Sequence, residues 1–93
     1  MTANGVPSPA EITQTIYDCV TRVKLDLDPS RLSPEIGFRE LGLSSIEAIT
    51  VIFEIEETFD IILVDAGLDD FKNIAHGTQI ICSLLARREA AAG

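Results

Sequence analysis

The chain has 93 residues, of which 46% are hydrophobic, and a formal net charge of −8 at pH 7. This length suffices for one small domain with a modest core, and the negative charge argues against nucleic acid as a partner. The longest apolar run, residues 61–64, is too short to span a membrane, and residues 1–5 lack the features of a secretory signal. We therefore expect a monomeric, cytoplasmic protein.

The first predicted element is a helix from Ser8 to about Lys24. Ser8 and Glu11 have the spacing of a capping box, and Pro9 occupies the first helical position. The residues at helical spacing that we expect to be buried are Ile12, Ile16, Cys19, Val20 and Val23. Prolines and glycines then predict a long structured loop over residues 25–43. Its expected core contacts are Leu27, Leu32, Ile36, Phe38 and Leu41.

A second helix is predicted from about Ser45 to Phe59. Ser44 and Glu47 form a second capping box, which places Ser45 in the first turn, where unpaired N–H groups favour a phosphate-linked group. A helical projection places four polar residues on one narrow stripe, namely Glu47, Thr50, Glu54 and Glu57. Apolar residues cover most of the remaining circumference, so we expect only this stripe to face water. Ile46 and Phe53 border the stripe and are either core residues or apolar anchors of a docking face.

The C-terminal part is predicted to contain a short helix or turn near residues 65–70 and a last helix from about Ile74 to Glu89. The last helix is expected to bury Ile74, Ile81, Leu84 and Leu85, with Arg87 and Arg88 near its negative end. The predicted fold class is therefore all-α, a small four-helix bundle with a long loop between helices 1 and 2 and a short third helix. Residues 8–89 form the domain, and residues 1–7 and 90–93 are expected to be flexible.

Acidic residues are concentrated in the middle of the chain, since residues 40–71 hold nine acids and no Lys or Arg. Clustered negative charge favours basic protein partners or cations, although an ordinary solvated face has the same pattern. No metal-ligand spacing or phosphate-cradling glycine loop is present, and the single histidine, His76, is far along the chain from Ser45. We therefore expect no enzyme activity and no metal. Cys19 and Cys82 are expected to be reduced core thiols rather than a disulfide.

The segment Phe38-x-Glu-Leu-Gly-Leu-Ser-Ser-Ile-Glu, followed by Ile55-Glu-Glu-Thr-Phe-Asp60, resembles the acyl carrier protein family. In that family a Leu-Gly-x-Asp-Ser-Leu motif opens the second helix, and an apolar-Glu-x-x-Phe motif closes it. Leu27-Asp-Pro-x-x-Leu32 and Phe71-x-Asn-Ile74 also lie where the family has its loop and its fourth helix. The resemblance covers roughly residues 10–88.

The resemblance implies a carrier that holds acyl groups as thioesters on 4′-phosphopantetheine, which a phosphopantetheinyl transferase attaches from coenzyme A. The matching attachment residue is Ser45, while Ser44 replaces the family's aspartate. The implied partners are this transferase and acyl-handling synthases or transferases with basic surfaces. The residues expected to dock them are Ile46, Glu47, Thr50, Phe53, Glu54 and Glu57. A carried acyl chain is expected to contact Ile52, Phe59, Ile62, Leu63 and Ile74, which are equally compatible with plain core.

Three departures from the family pattern suggest a specialised carrier for fatty-acid, lipid or polyketide chemistry. They are Ser44 in place of the aspartate, Thr50 where many members have an acid, and the apolar residues 61–64. An aminoacyl carrier and an unmodified acidic adaptor that binds a partner protein remain alternatives. Because the helical pattern leaves no long linker at either end, we expect a discrete protein rather than part of a synthase.

Overall fold

The computed structural model of the chain describes residues 7–63 and 73–92. These residues form three α-helices, α1 (Pro9–Val23), α2 (Ser45–Phe59) and α3 (Ile74–Ala92), and one short 3-10 turn at Pro29–Arg31. No strand occurs within them, so the prediction of an all-α fold is confirmed. The predicted short helix near residues 65–70 lies outside the described residues.

Helix α1 begins at the predicted capping box. The Ser8 hydroxyl accepts a hydrogen bond from the Glu11 amide at 3.2 Å, and the Glu11 carboxylate accepts one from the Ser8 amide at 2.8 Å. Two N–H groups that the helix cannot pair are thereby satisfied. The predicted apolar positions of α1 are confirmed, since all are fully buried except Val23, which is half-buried: Ile12, Ile16, Cys19 and Val20.

The segment between α1 and α2 is held to the core along its length. Its buried side chains are Leu27, Phe38, Leu41 and Leu43, of which the first three were predicted. The Pro29–Arg31 turn was not predicted, although Asp28 caps it by accepting a hydrogen bond from the Ser30 amide at 3.0 Å. This segment also caps the start of α3. The carbonyls of Ile36 and Pro34 accept hydrogen bonds from the first two amides of that helix, at 3.0 and 2.8 Å.

Helix α1 packs against both α2 and α3. From α3, the core receives Ile74, Ile81 and Leu85, while Leu84 is only half-buried. Thr78 of α3 is buried and shares a hydrogen bond of 2.8 Å with Thr13 of α1, so its hydroxyl is paired inside the interface.

The predicted role of Arg87 and Arg88 at the end of their own helix is wrong. Helix α3 continues to Ala92, beyond the predicted end at Glu89, so neither arginine is in its last turn. The Nη1 of Arg88 instead donates hydrogen bonds to the carbonyls of Phe59 and Asp60, at 2.9 and 2.6 Å. These atoms form the C-terminal end of α2, where Asp60 adopts a left-handed conformation with φ of 56°. Arg88 therefore neutralises the negative end of α2.

No helix among the described residues combines the length and hydropathy needed to cross a membrane.

Candidate functional site

Two adjacent exposed serines stand at the start of α2, and the hydroxyl of the first one caps the helix. The Ser44 hydroxyl accepts from the Glu47 amide at 3.1 Å, and the Glu47 carboxylate accepts from the Ser44 amide at 2.8 Å. The predicted capping box is thus confirmed. Ser45 is the first residue of α2 and is exposed. Because the amides of Ser44 and Glu47 are paired, the amides of Ser45 and Ile46 remain as donors without an acceptor among the described residues.

A tight turn delivers the chain to these serines. Gly42 has a φ of +87°, a conformation that an L-residue adopts only with strain, which explains the glycine. On either side of it, Leu41 and Leu43 are buried in the core. Arg31 adds a further tie by donating a hydrogen bond to the carbonyl of Glu40 at 2.7 Å. The position of Ser45 is therefore defined by the core rather than by a loose loop.

The chemistry available at Ser45 is that of an acceptor of a transferred group. No described side chain makes a hydrogen bond to its hydroxyl, so nothing in the described structure acts as a base for it. Nor do the described residues contain a cluster of His, Cys, Asp or Glu able to hold a metal ion. The first turn of α2 does offer two unpaired amides and the positive end of a helix dipole, which favour a phosphate.

The predicted polar stripe of α2 is only partly available to a partner. The carboxylate of Glu47 is engaged in the capping box. Glu54 accepts two hydrogen bonds from Arg22 of α1, at 3.2 Å from Nε and 3.1 Å from Nη2. Of the four residues of the stripe, Thr50 and Glu57 are exposed, and Glu47 and Glu54 are half-buried. Sequence reasoning missed Arg22 because the contact spans 32 residues and leaves no local signal.

The expectation that only the acidic stripe of α2 faces water is wrong. Ile46 is 77% exposed, Phe53 53% and Ile49 38%. The buried side chains of α2 are Val51, Ile52 and Ile55, which lie on the opposite side. Among the described helices α2 packs mainly against α1, and the side of α2 that carries Ile46 and Phe53 is exposed. That side carries a row at successive i, i+4, i+7 and i+11 positions, which we call the outer row: Ile46, Thr50, Phe53 and Glu57.

The predicted acyl-chain contacts divide between the core and the surface. Ile52, Leu63 and Ile74 are buried in one cluster, and Phe59 is half-buried against it. Ile62 is 68% exposed and so is not part of this cluster. Its neighbour Leu63 is buried in the core instead. An open groove of about 420 Å³ lies elsewhere, between α1 and the following segment, and none of the five borders it.

Comparison with known proteins agrees with this geometry. A family model described as the phosphopantetheine attachment site matches residues 14–76, which is more than half of the chain and includes both serines. The acyl carrier protein of Onion yellows phytoplasma (strain OY-M) is 40% identical over 52 residues, covering 55% of this chain and 68% of that protein. The acyl carrier protein of Aster yellows witches'-broom phytoplasma (strain AYWB) is 38% identical over 64 residues, covering 68% and 83%.

A more distant relative is the mitochondrial acyl carrier protein 2 of Arabidopsis thaliana, which is 28% identical over 75 residues, covering 80% of this chain and 59% of that protein. No solved structure matches the chain significantly. The motif at the start of α2, the extent of the family match and the named relatives lead to one conclusion. This chain belongs to the acyl carrier protein family, whose members are not enzymes but carriers with a covalently attached 4′-phosphopantetheine arm.

Proposed function

We propose that Ser45 carries the 4′-phosphopantetheine arm and that the chain delivers acyl thioesters to the enzymes of a specialised fatty-acid, lipid or polyketide pathway. The observation that carries this proposal is the contrast between the two adjacent serines. Both serines are exposed, but the Ser44 hydroxyl accepts the hydrogen bond of the helix cap, whereas the Ser45 hydroxyl, at the first position of α2, has no hydrogen-bond partner among the described residues. A modifying enzyme therefore reaches Ser45 without opening the fold.

The start of α2 suits the product of the modification as well. A phosphodiester on Ser45 would bring negative charge to the positive end of the helix dipole. The unpaired amides of Ser45 and Ile46 are the available hydrogen-bond donors there. The capping box holds this first turn in helical geometry.

The proposed carrier is a single domain over residues 8–89, and its proposed fold is a four-helix bundle. Its partners are a phosphopantetheinyl transferase and acyl-handling synthases or transferases, which dock on α2 next to the arm. The docking residues that we propose are those of the outer row. Glu47 and Glu54, which the sequence also predicted to dock, lie beside this row but are engaged by the capping box and by Arg22. A carried acyl chain would enter the cluster formed by Ile52, Leu63 and Ile74, which are all buried. Phe59, half-buried at the end of α2, lies at the margin of this cluster.

The test is incubation with coenzyme A and a broad-range phosphopantetheinyl transferase, followed by intact mass spectrometry. The wild-type chain is expected to gain the mass of one phosphopantetheinyl group. Ser45→Ala is expected to gain none while keeping its circular dichroism spectrum, because this hydroxyl pairs with no described residue. Continued modification of Ser45→Ala would contradict the assignment. A wild-type chain that never gains mass would instead favour the unmodified adaptor.

A further inference from the structure

The acids of α2 differ in how much negative charge they present to an approaching enzyme. Glu54 is paired with Arg22, whose guanidinium donates two hydrogen bonds to one carboxylate oxygen. The same Nη2 lies 3.5 Å from the sulfur of the buried Cys19, which gives the guanidinium a second contact in this position. The positive charge of Arg22 therefore offsets the negative charge of Glu54 beside the outer row.

The two remaining acids of the stripe are not equivalent either. Glu47 is turned toward the amide of Ser44, at the positive end of the helix dipole, which offsets its charge. Glu57 ends the outer row, is exposed, and forms no ion pair with a described residue. The surface that leads from Ser45 along α2 is thus mostly apolar, with exposed Ile46 and Phe53 and one uncompensated carboxylate.

We propose that Arg22 is a specificity-determining residue: by neutralising Glu54, it makes the phosphopantetheinyl transferase recognise α2 chiefly through Ile46 and Phe53. This inference rests on the proposed attachment at Ser45. An enzyme that forms a bond to the Ser45 hydroxyl must cover the adjacent residue, Ile46, and its contact surface then continues along the outer row. The occupant that fits has apolar pockets for these two side chains and a basic residue for Glu57.

The charge part of the proposal is tested by measuring the second-order rate of modification from low to physiological salt. Arg22→Gln leaves the Glu54 carboxylate without its ion pair, so it is expected to raise the modification rate about two- to fivefold at low salt. The increase should become smaller as salt screens the charges. Arg22→Gln/Glu54→Gln removes both charges and is expected to match the wild-type rate. Exposed ion pairs contribute little to stability, so both variants are expected to fold.

Arg87→Gln is the matched control, because Arg87 is also exposed but lies on α3, and it makes the same change in net charge. The proposal is overturned if Arg22→Gln is no faster than Arg87→Gln. It is equally overturned if the double variant is slower than the wild type, since the transferase would then contact Glu54 directly despite Arg22.

The apolar part is tested at Phe53. Phe53→Ala is expected to lower the modification rate about tenfold at every salt concentration, as loss of an apolar anchor does. Phe53→Leu, which keeps an apolar side chain, is expected to retain most of the rate, and Leu25→Ala is the control because Leu25 is 86% exposed outside α2. A wild-type rate for Phe53→Ala would refute the inference while leaving attachment at Ser45 intact. Absence of modification in the wild-type chain would refute the proposed function and the inference with it.

Discussion

Replacing Ser44 by alanine is expected to weaken the start of α2 without preventing modification of Ser45. The change removes the hydroxyl that accepts from the Glu47 amide at 3.1 Å. The reciprocal bond from the Ser44 amide to the Glu47 carboxylate uses backbone atoms of residue 44 and remains possible. Loss of an N-cap hydroxyl costs about 0.5–2 kcal/mol of unfolding free energy. A loss of about 1 kcal/mol corresponds to a decrease of about 4–8 °C in Tm for a domain of this size.

The chain contains its own matched control, because α1 begins with a second capping box. There the Ser8 hydroxyl accepts from the Glu11 amide at 3.2 Å, and Ser8→Ala is expected to lower Tm by a similar amount. Thermal unfolding followed by circular dichroism measures both variants. If Ser8→Ala lowers Tm and Ser44→Ala does not, the cap at Ser44 contributes nothing and the reasoning about the two serines is refuted.

Ser44→Asp separates the cap from the charge at the same position. Aspartate is an equally good N-cap acceptor, and its charge at the positive end of the helix is favourable by about 0.3–1 kcal/mol. We therefore expect Ser44→Asp to have a Tm equal to or above that of the wild type. Mass spectrometry should show one added phosphopantetheinyl group in both Ser44 variants. Failure of Ser44→Ala alone to be modified, at temperatures where it is folded, would mean that the transferase contacts the Ser44 hydroxyl.

Two further predictions follow from contacts outside the attachment site. Arg88→Met is expected to lower the unfolding free energy by about 0.5–1.5 kcal/mol, because the carbonyls of Phe59 and Asp60 lose a charged donor. Arg87→Met, one residue earlier and exposed, is the control, and equal Tm values for the two variants would contradict the role of Arg88. Cys19 is fully buried, and burial raises the pKa of its thiol, so an alkylating reagent at neutral pH should label it only after denaturation. Stoichiometric labelling of Cys19 in the folded protein would disagree with its place in the core.

The features predicted correctly from the sequence are those that depend on residues close together in the chain. Each capping box lies within four consecutive residues, and each one marks the start of its helix correctly. Apolar residues at helical spacing likewise identified the buried side of α1. The long segment between α1 and α2 was expected to contact the core, and its leucines at positions 27 and 41 do so. The Leu-Gly pair before the serines correctly indicated a turn, as the positive φ of Gly42 shows.

The features that were missed depend on where the helices lie relative to one another. A helical projection gives the angles between side chains but does not tell which side meets a neighbour, so Ile46 and Phe53 were placed among possible core residues. Arg22 and Glu54 are 32 residues apart, and Arg88 lies 29 residues from Phe59. No local pattern encodes such pairs. Both contacts involve α2. Arg22 pairs with the Glu54 carboxylate and Arg88 with the carbonyls at the C-terminal end, so both reduce the negative charge that α2 presents to a partner.

The contacts that stabilise α2 are separated from those that we propose for its partners. The helix is held at its N-terminus by Ser44 and Glu47, at its C-terminus by Arg88, and along its inner side by buried apolar residues. None of these contacts uses a side chain of the outer row. Substitutions in that row are therefore expected to have little effect on stability, since a substitution at an exposed position usually changes the unfolding free energy by less than about 0.5 kcal/mol. A carrier built in this way can change the enzymes that recognise it without changing its fold, and a binding defect in an outer-row variant can be attributed to the interface itself.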